Sequence, residues 1–290
     1  MTRVAFATSA EYASLTDDDQ CFADALQARD VSVDPAVWSD DGVDWRRYDA
    51  VVVRSCWDYH ENVVEFGRWV DALDAADVVL FNSPAALHWN RHKFYLRDLE
   101  ARGIETVPTE YVARADSRPL EAILDDRDWD DAVVKPAVSA GAEDTWRTDR
   151  SRADSHQKRY AELRDHADLL VQQYAHEVED GEWSLMFAGG EYTHSVLKRP
   201  EGGDFRVQEH FGGTYAAAEP DDELVEQAAS VVEAATDELG EESLYARVDG
   251  VDADGTLVLI ELELIEPSLF YDAVPDSASE MADALVARLD

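Results

Sequence analysis

The chain has 290 residues, 46% of them hydrophobic, with 64 acidic against 25 basic side chains and a formal net charge of −39. So acidic a surface has no Lys/Arg patch with which to neutralise phosphates, which excludes nucleic acids and anionic membranes as partners. No stretch is long and apolar enough to span a bilayer. Two cysteines, Cys21 and Cys56, are too few for a disulfide framework, so a reduced cytoplasm is expected. The acid is scattered among aromatic and branched residues rather than gathered in a tail, which predicts a folded protein and not a disordered one. Its self-repulsion would be screened at molar salt, and the composition therefore reads as halophilic.

In chain order, residues 3–8 read as a buried strand and 17–29 as a helix with Thr16 at its N-cap before three aspartates. Strands follow at 31–37 and 49–55, an amphipathic helix at 62–75, and a strand at 78–82. Strands alternating with helices at this spacing predict a small parallel α/β domain over residues 1–83, with its site beyond the carboxyl ends of the strands. Asn82-Ser83-Pro84 breaks the pattern, and 92–103 reads as a helix ended by Gly103. Residues 84–290 then carry an α+β texture, divided at about 175 into two lobes. Short strands are expected at 106–112, 130–135, 143–148, 169–174, 183–190 and 193–198, and helices at 117–126, 155–166 and 222–239. Two further strands, 244–251 and 257–265, flank an Asp252–Gly255 turn before a last helix at 276–289.

The last two strands carry the strongest chemical signal. Strand side chains alternate faces, so Glu261 and Glu263 share one face, while Ile260, Leu262 and Leu264 share the other. A tight turn sets Asp249 within a rung or two of Glu261. Read alone, this face is equally a solvated acidic surface or a site for Mg²⁺, a hard cation that takes carboxylate oxygens and substrate phosphates. The lysines bear on the choice. The chain has only four, at 93, 135, 158 and 198. Lys135 ends a strand ahead of the small-residue loop of VVKPAVSAGAED, a way to hold phosphate oxygens by charge and backbone N–H groups. Lys198 closes another strand, and Arg206 follows in GGDFRVQEHFGG. Neither a G-x-G-x-x-G nor a G-x-x-x-x-G-K-[ST] motif occurs, which argues against Rossmann and P-loop nucleotide sites. The segment from Arg54 through Trp57, Asp58 and Tyr59 sits where the third strand ends and suits recognition of a small polar substrate.

The string RSCWDYH, WNRHKFYLRDLE, VVKPAVSAGAEDTWR, GEWSL, KRPEGGDFRVQEHFGG, YARVD and ELELIEPSLF resembles the ATP-grasp superfamily. It is similar to the glutathione synthetase branch, and closest to the type that includes the ring-closing ligase of cycloserine biosynthesis. The resemblance implies an ATP-grasp fold with an N-terminal parallel α/β domain. It implies a ligase using ATP and Mg²⁺, with Mn²⁺ as an alternative and two ions at the site, that joins a small carboxylate to an amine-type nucleophile. Lys93 and Lys135 would contact the nucleotide phosphates, and the loop from Ser139 through Gly141 to Asp144 would close over them. Gln172, Gln173 and Tyr174 would pack against adenine, and Glu177 or Glu182 would hold the ribose. Lys198 and Arg206 would face the γ-phosphate and the acyl phosphate, and Asp249, Glu261 and Glu263 would hold the metal. Two departures stand out: the phosphate loop has a single glycine, and Glu263 occupies a position that is often Asn in relatives. A phosphotransferase on the same scaffold, or a nucleotide-binding module without turnover, are the rival readings, and the sequence leaves a homodimer open.

Overall fold

In the computed structural model, which describes residues 2–289, Thr16 caps the first helix as expected, its hydroxyl accepting the Asp19 N–H. Strand β1 (Thr2–Thr8), helix α1 (Asp17–Gln27), β2 (Val31–Val37), β3 (Ala50–Val53), α2 (Val63–Ala75) and β4 (Leu80–Phe81) build the first layer. The strands form one four-stranded sheet in the order β2-β1-β3-β4, parallel throughout. All four residues of β3 are buried, as a parallel strand covered on both faces requires. Val4, Phe6 and Val52 pack against Phe22 and Leu26 of α1, while Val51 and Val53 pack against Phe66 and Val70 of α2.

The break at Asn82-Ser83-Pro84 opens a helix that the sequence reading did not place, α3 (Pro84–Asn90), with Ser83 capping the Ala86 N–H and proline in its first turn. The helix expected over 92–103 is shorter and divided. A 3₁₀ turn at Lys93–Tyr95 leads into α4 (Leu96–Ala101), and Gly103 takes a φ of +88° just past its end.

A second layer follows: β5 (Thr109–Val112), α5 (Leu120–Arg127), β6 (Asp131–Pro136), β7 (Trp146–Asp149), α6 (Ala153–Arg164) and β8 (Leu169–Gln173). Its sheet runs β5-β8-β6-β7, every pair antiparallel, backed by Leu120, Ile123 and Leu124 of α5 and Tyr160 of α6. The third layer comprises β9 (Glu182–Ala188), β10 (Glu191–Arg199), β11 (Thr214–Ala217), α7 (Asp222–Leu239), β12 (Tyr245–Ala253), β13 (Thr256–Glu263) and α8 (Ser277–Leu289). Its five strands run β11-β10-β9-β12-β13. Helix α7 lays Leu224, Ala228, Val231 and Ala235 against Leu185, Phe187, Ala246 and Val248 of the sheet.

The β12–β13 hairpin sets Asp249 directly opposite Glu261, inside the expected rung or two, and Arg247 opposite Glu263. One expectation fails. The register shifts at Asp249/Gly250, where Gly250 pairs with Leu259, leaving Ile260 as an extra residue. A bulge of this kind resets the alternation of faces. Ile260 therefore leaves the buried side of Leu262 and Leu264 and turns toward the acidic face.

Candidate active site

The second and third layers face each other across a cavity of about 650 Å³, closed on one side by loops of the N-terminal sheet. β6 contributes Lys135, β8 contributes Gln172 and Gln173, β9 and β10 contribute Glu182 and Lys198, and the hairpin contributes Arg247, Asp249, Ile260, Glu261 and Glu263. Ser139 to Ala142, Arg206 and Tyr174 also line it, as do Trp57 and Tyr59 from the loop after β3. Residues far apart in sequence thus meet because strands of two sheets and the loops beside them converge.

The acidic hairpin face is buried and interlocked with cations. Arg247 bonds Asp249 through Nη2 at 2.8 Å and also holds Glu263. Lys198 Nζ lies 2.5 Å from Glu182 and 3.4 Å from Asp249, which also accepts the Ser184 hydroxyl at 2.5 Å. Lys93 reaches Glu261 at 2.9 Å and donates to the Ser139 carbonyl at 2.7 Å, tying the loop after β6 to the hairpin. Burial alone would raise Asp249, but Arg247 and Lys198 outweigh it and hold the carboxyl down to about 2. Burial likewise opposes ionisation of Glu261, yet Lys93 and Lys135 keep it below its usual value. Glu263 ends the other way: burial dominates, Arg247 only partly offsets it, and with Asp249 and Glu261 nearby it is pushed up to about 7. Lys198 is raised because Asp249 and Glu182 overcome the lowering effect of burial. Lys135 has no such partner, and burial lowers it.

A face that gathers Asp249, Glu261 and Glu263 offers the oxygen donors that suit a hard divalent ion. Among the described residues, no three His, Cys, Asp or Glu side chains already converge as a metal cage. Asp249, Glu261 and Glu263 are turned to Arg247, Lys198 and Lys93 instead. Next to this face lies an apolar wall of Val133, Val178, Val207, Ile260 and Tyr174, of which only Tyr174 was assigned from sequence. Only the bulge brings Ile260 there. Arg147 stacks over the Tyr174 ring at 3.6 Å. Gln172 is buried and donates to Thr109 Oγ1 at 2.9 Å, fixing the strand beneath that wall.

The structure separates some residues grouped by the sequence. Glu182 lines the cavity, whereas Glu177 is not among the lining residues. Of the substrate segment, Trp57 and Tyr59 line it, but Arg54 and Asp58 do not. Arg54 is fully buried, bonded to Asp19 at 2.7 Å and to the Pro267 carbonyl at 2.9 Å, so it holds the chain and touches no ligand space. Asp58 accepts the Trp38 indole N–H at 2.7 Å. Arg206 is folded onto Asp204 at 2.7 Å and sits over the Phe211 ring at 3.3 Å. In the loop after β6, Ala142 and Asp144 join Gly141 at positive φ. His60 bonds Glu143 at 2.7 Å, spanning from the loop after β3 to the loop after β6. Arg247, Tyr12 and Glu266, none assigned from sequence, also line the cavity. Arg247 stands two residues before Asp249 on the same strand, so strand alternation puts both on one face, and that is the sequence signal for it.

Residues 99–271 match the family described as prokaryotic glutathione synthetase, ATP-grasp domain, and residues 4–82 match the D-cycloserine synthetase DcsG N-terminal domain. The chain belongs to the ATP-grasp family. It is 31% identical over 285 residues to the cycloserine biosynthesis protein DcsG of Streptomyces lavendulae, covering 92% of each chain. The crystal structure of D-cycloserine synthetase DcsG superposes with a TM-score of 0.90 at 29% identity, over 99% of this chain and 100% of that one. D-alanine–D-alanine ligase from Bacillus anthracis complexed with ATP shares the ATP-grasp fold, with a TM-score of 0.71 at 16% identity over 100% and 97% of the two chains.

Proposed function

We propose that the chain is an ATP- and Mg²⁺-dependent ligase that joins a small carboxylate to an amine-type nucleophile through an acyl phosphate, releasing ADP and phosphate. The observation that carries this reading is the single cavity in which buried lysines, three hairpin carboxylates and an apolar wall lie side by side. Adenine would rest on Val133, Tyr174, Val178, Val207 and Ile260, with Gln172 and Gln173 along its edge. Lys93 and Lys135 would meet the phosphates, and the Ser139–Gly141 loop would cover them. Glu182, which lines the cavity, is the carboxylate we assign to the ribose in preference to Glu177. Asp249, Glu261 and Glu263 would hold Mg²⁺, or Mn²⁺ in its place, as one or two ions, and the metal supplies charge neutralisation at the phosphates.

A substrate carboxylate oxygen attacks the γ-phosphorus and the bond to the departing ADP oxygen breaks. Lys198 and Arg206 neutralise the charge that develops, Arg206 by leaving Asp204 for the phosphate. The amine nitrogen then attacks the acyl carbon, the C–N bond forms, phosphate leaves and the nitrogen loses its proton. Positioning and electrostatics supply the acceleration, so no protein nucleophile is needed. We read the boundary near residue 83 as the division between a substrate-side domain and the nucleotide-binding region. We also read the acidic surface as an adaptation to a high-salt cytoplasm.

The test is ADP and phosphate release in molar KCl with Mg²⁺, across small carboxylates supplied with and without amines. The ligase reading expects phosphate release that depends on both an acid and an amine group. ADP formed with phosphate retained on the acceptor would instead make the chain a phosphotransferase. Nucleotide bound without ADP across the whole panel would make it a binding module.

A further inference from the structure

Strand β13 is the outermost strand of the third sheet, and it carries Glu261 and Glu263. On one side it pairs with β12, at the Asp249–Glu261 and Arg247–Glu263 rungs. An open edge leaves a row of N–H and C=O groups on the other side, and where such groups are buried they need partners. Near the turn a run of backbone supplies them. The Leu259 N–H donates to the Glu105 carbonyl at 2.9 Å, and the Leu259 carbonyl accepts the Val107 N–H at 3.0 Å. Beyond that point side chains take over. The Tyr95 hydroxyl accepts the Leu262 N–H at 2.8 Å and donates to the Leu262 carbonyl at 2.8 Å. The Asn90 amide donates to the same carbonyl at 2.8 Å and accepts the Leu264 N–H at 2.8 Å.

The placement is specific. Leu262 stands between Glu261 and Glu263, so two peptide units join the residues that bear the carboxylates. Tyr95 holds the N–H of the first unit, and Asn90 and Tyr95 together hold the carbonyl of the second. Two residues of strand set the Cα atoms of Glu261 and Glu263 about 7 Å apart, and rotation of either peptide unit would re-aim their side chains. The holders are themselves fixed. Asn90, 7% exposed, closes α3, and Tyr95, 3% exposed, packs its ring against Trp89 at 5.0 Å between centroids. Asn90 borders the cavity, yet both ends of its amide are turned to the strand. The turn that carries Tyr95 also carries Lys93, whose ammonium meets Glu261 and whose backbone N–H donates to the Ala137 carbonyl at 2.7 Å.

A stiff pair of carboxylates bears on which ion is bound. Mg²⁺ demands near-ideal octahedral geometry at about 2.0–2.1 Å, whereas Ca²⁺ takes longer and more variable bonds, so a rigid frame favours the smaller ion and a loose one levels the two. We propose that Asn90 and Tyr95 are positioning residues that set the ion selectivity of the Glu261–Glu263 pair by clamping the strand between them. Neither is a ligand itself. The inference rests on the assignment of the hairpin carboxylates to Mg²⁺ and deepens it.

Binding of Mn²⁺, followed by loss of the free-ion electron paramagnetic resonance signal, tests it in molar KCl with saturating non-hydrolysable ATP analogue, the analogue alone serving as the blank. Mg²⁺ and Ca²⁺ then displace the Mn²⁺, and the ratio of their displacing concentrations is the selectivity. The wild type is expected to favour Mg²⁺. Tyr95→Phe, which removes both hydroxyl bonds and keeps the ring, and Asn90→Leu should each shrink that preference about tenfold, mainly by weakening Mg²⁺, as loss of a group behind a metal ligand does. Their melting midpoints should fall too, since backbone groups lose partners, so the ratio and not the stability is the readout. Leu224→Ala, a core truncation on α7, is the control that should lower the midpoint and leave the ratio alone. If Asn90→Leu does not fold, Tyr95→Phe decides alone, because there Asn90 still holds the Leu262 carbonyl. A wild type without preference, a Tyr95→Phe variant that keeps the wild-type ratio, or a Leu224→Ala ratio that falls as far overturns the clamp. A wild type that binds no Mn²⁺ beyond the blank would instead sink the metal assignment, and the ligase reading with it.

Discussion

Two parts of the cavity wall are built on different electrostatic plans. At the hairpin end, Arg247, Lys198 and Lys93 each hold carboxylates within bonding distance, so the charges are neutralised before any ligand arrives. Beside the loop after β3 the wall is aromatic, and Glu266 makes no ion pair there; burial, with Glu263 adding to it, pushes its carboxyl well above the usual range. Lys135 is the hairpin end's own exception, buried like its neighbours but unmatched. The contrast separates two uses of a buried charge. A matched set keeps its geometry in the free protein and exchanges partners when a ligand enters. An unmatched charge weakens the free protein and is satisfied only by the ligand.

The largest effect should come from breaking the matched set. Arg247→Met leaves Asp249 and Glu263 buried without their main cation, which should cost about 3–5 kcal/mol of stability, as removing one partner of a buried pair does. Urea unfolding in molar KCl measures it, and a loss under 1 kcal/mol would mean that the carboxylates find water instead. A smaller change sharpens the metal assignment. In Glu261→Gln the amide can still accept from Lys93, so the fold should hold, but the site loses a hard anionic ligand. The Mg²⁺ concentration for half-maximal ADP release should rise about tenfold or more, and an unchanged requirement would remove Glu261 from the metal. The weakest and most diffuse effect is salt. With a net charge of −39, the melting midpoint should rise from 0.1 M to 3 M KCl as repulsion is screened. A midpoint that does not move would count against the halophilic reading of the surface.

Local physics made much of this legible. Thr16 and the aspartates after it marked α1, the apolar runs marked the parallel sheet, and the tight turn set Asp249 within a rung or two of Glu261. What failed depends on chain geometry that no short window carries. The bulge at Asp249/Gly250 moves Ile260 across the sheet and completes the apolar wall. Asn82-Ser83-Pro84 looked like a stop but is a capped start. The edge strand β11 is short and mostly exposed, so it carries no buried pattern to read. Arg54 and Trp57 lie three residues apart, yet one closes a buried pair with Asp19 and the other faces the cavity. Glu266 is one acid among many in the sequence. Only the structure reveals that it is buried without an ion pair.

The most direct test of the account is nucleotide titration of Lys135→Met beside Lys158→Ala. Lys135 is buried on the cavity wall without an ion pair, whereas the Lys158 side chain is 86% exposed and bridges Glu162 on α6. Lys135→Met should weaken ATP binding by about 1.5–3 kcal/mol, roughly ten- to more than a hundredfold, while its melting midpoint holds or rises because a desolvated charge is gone. Lys158→Ala should leave both nearly unchanged. Equal losses of affinity in the two variants, or full ATP affinity in Lys135→Met, would contradict the claim that this cavity is where the nucleotide binds.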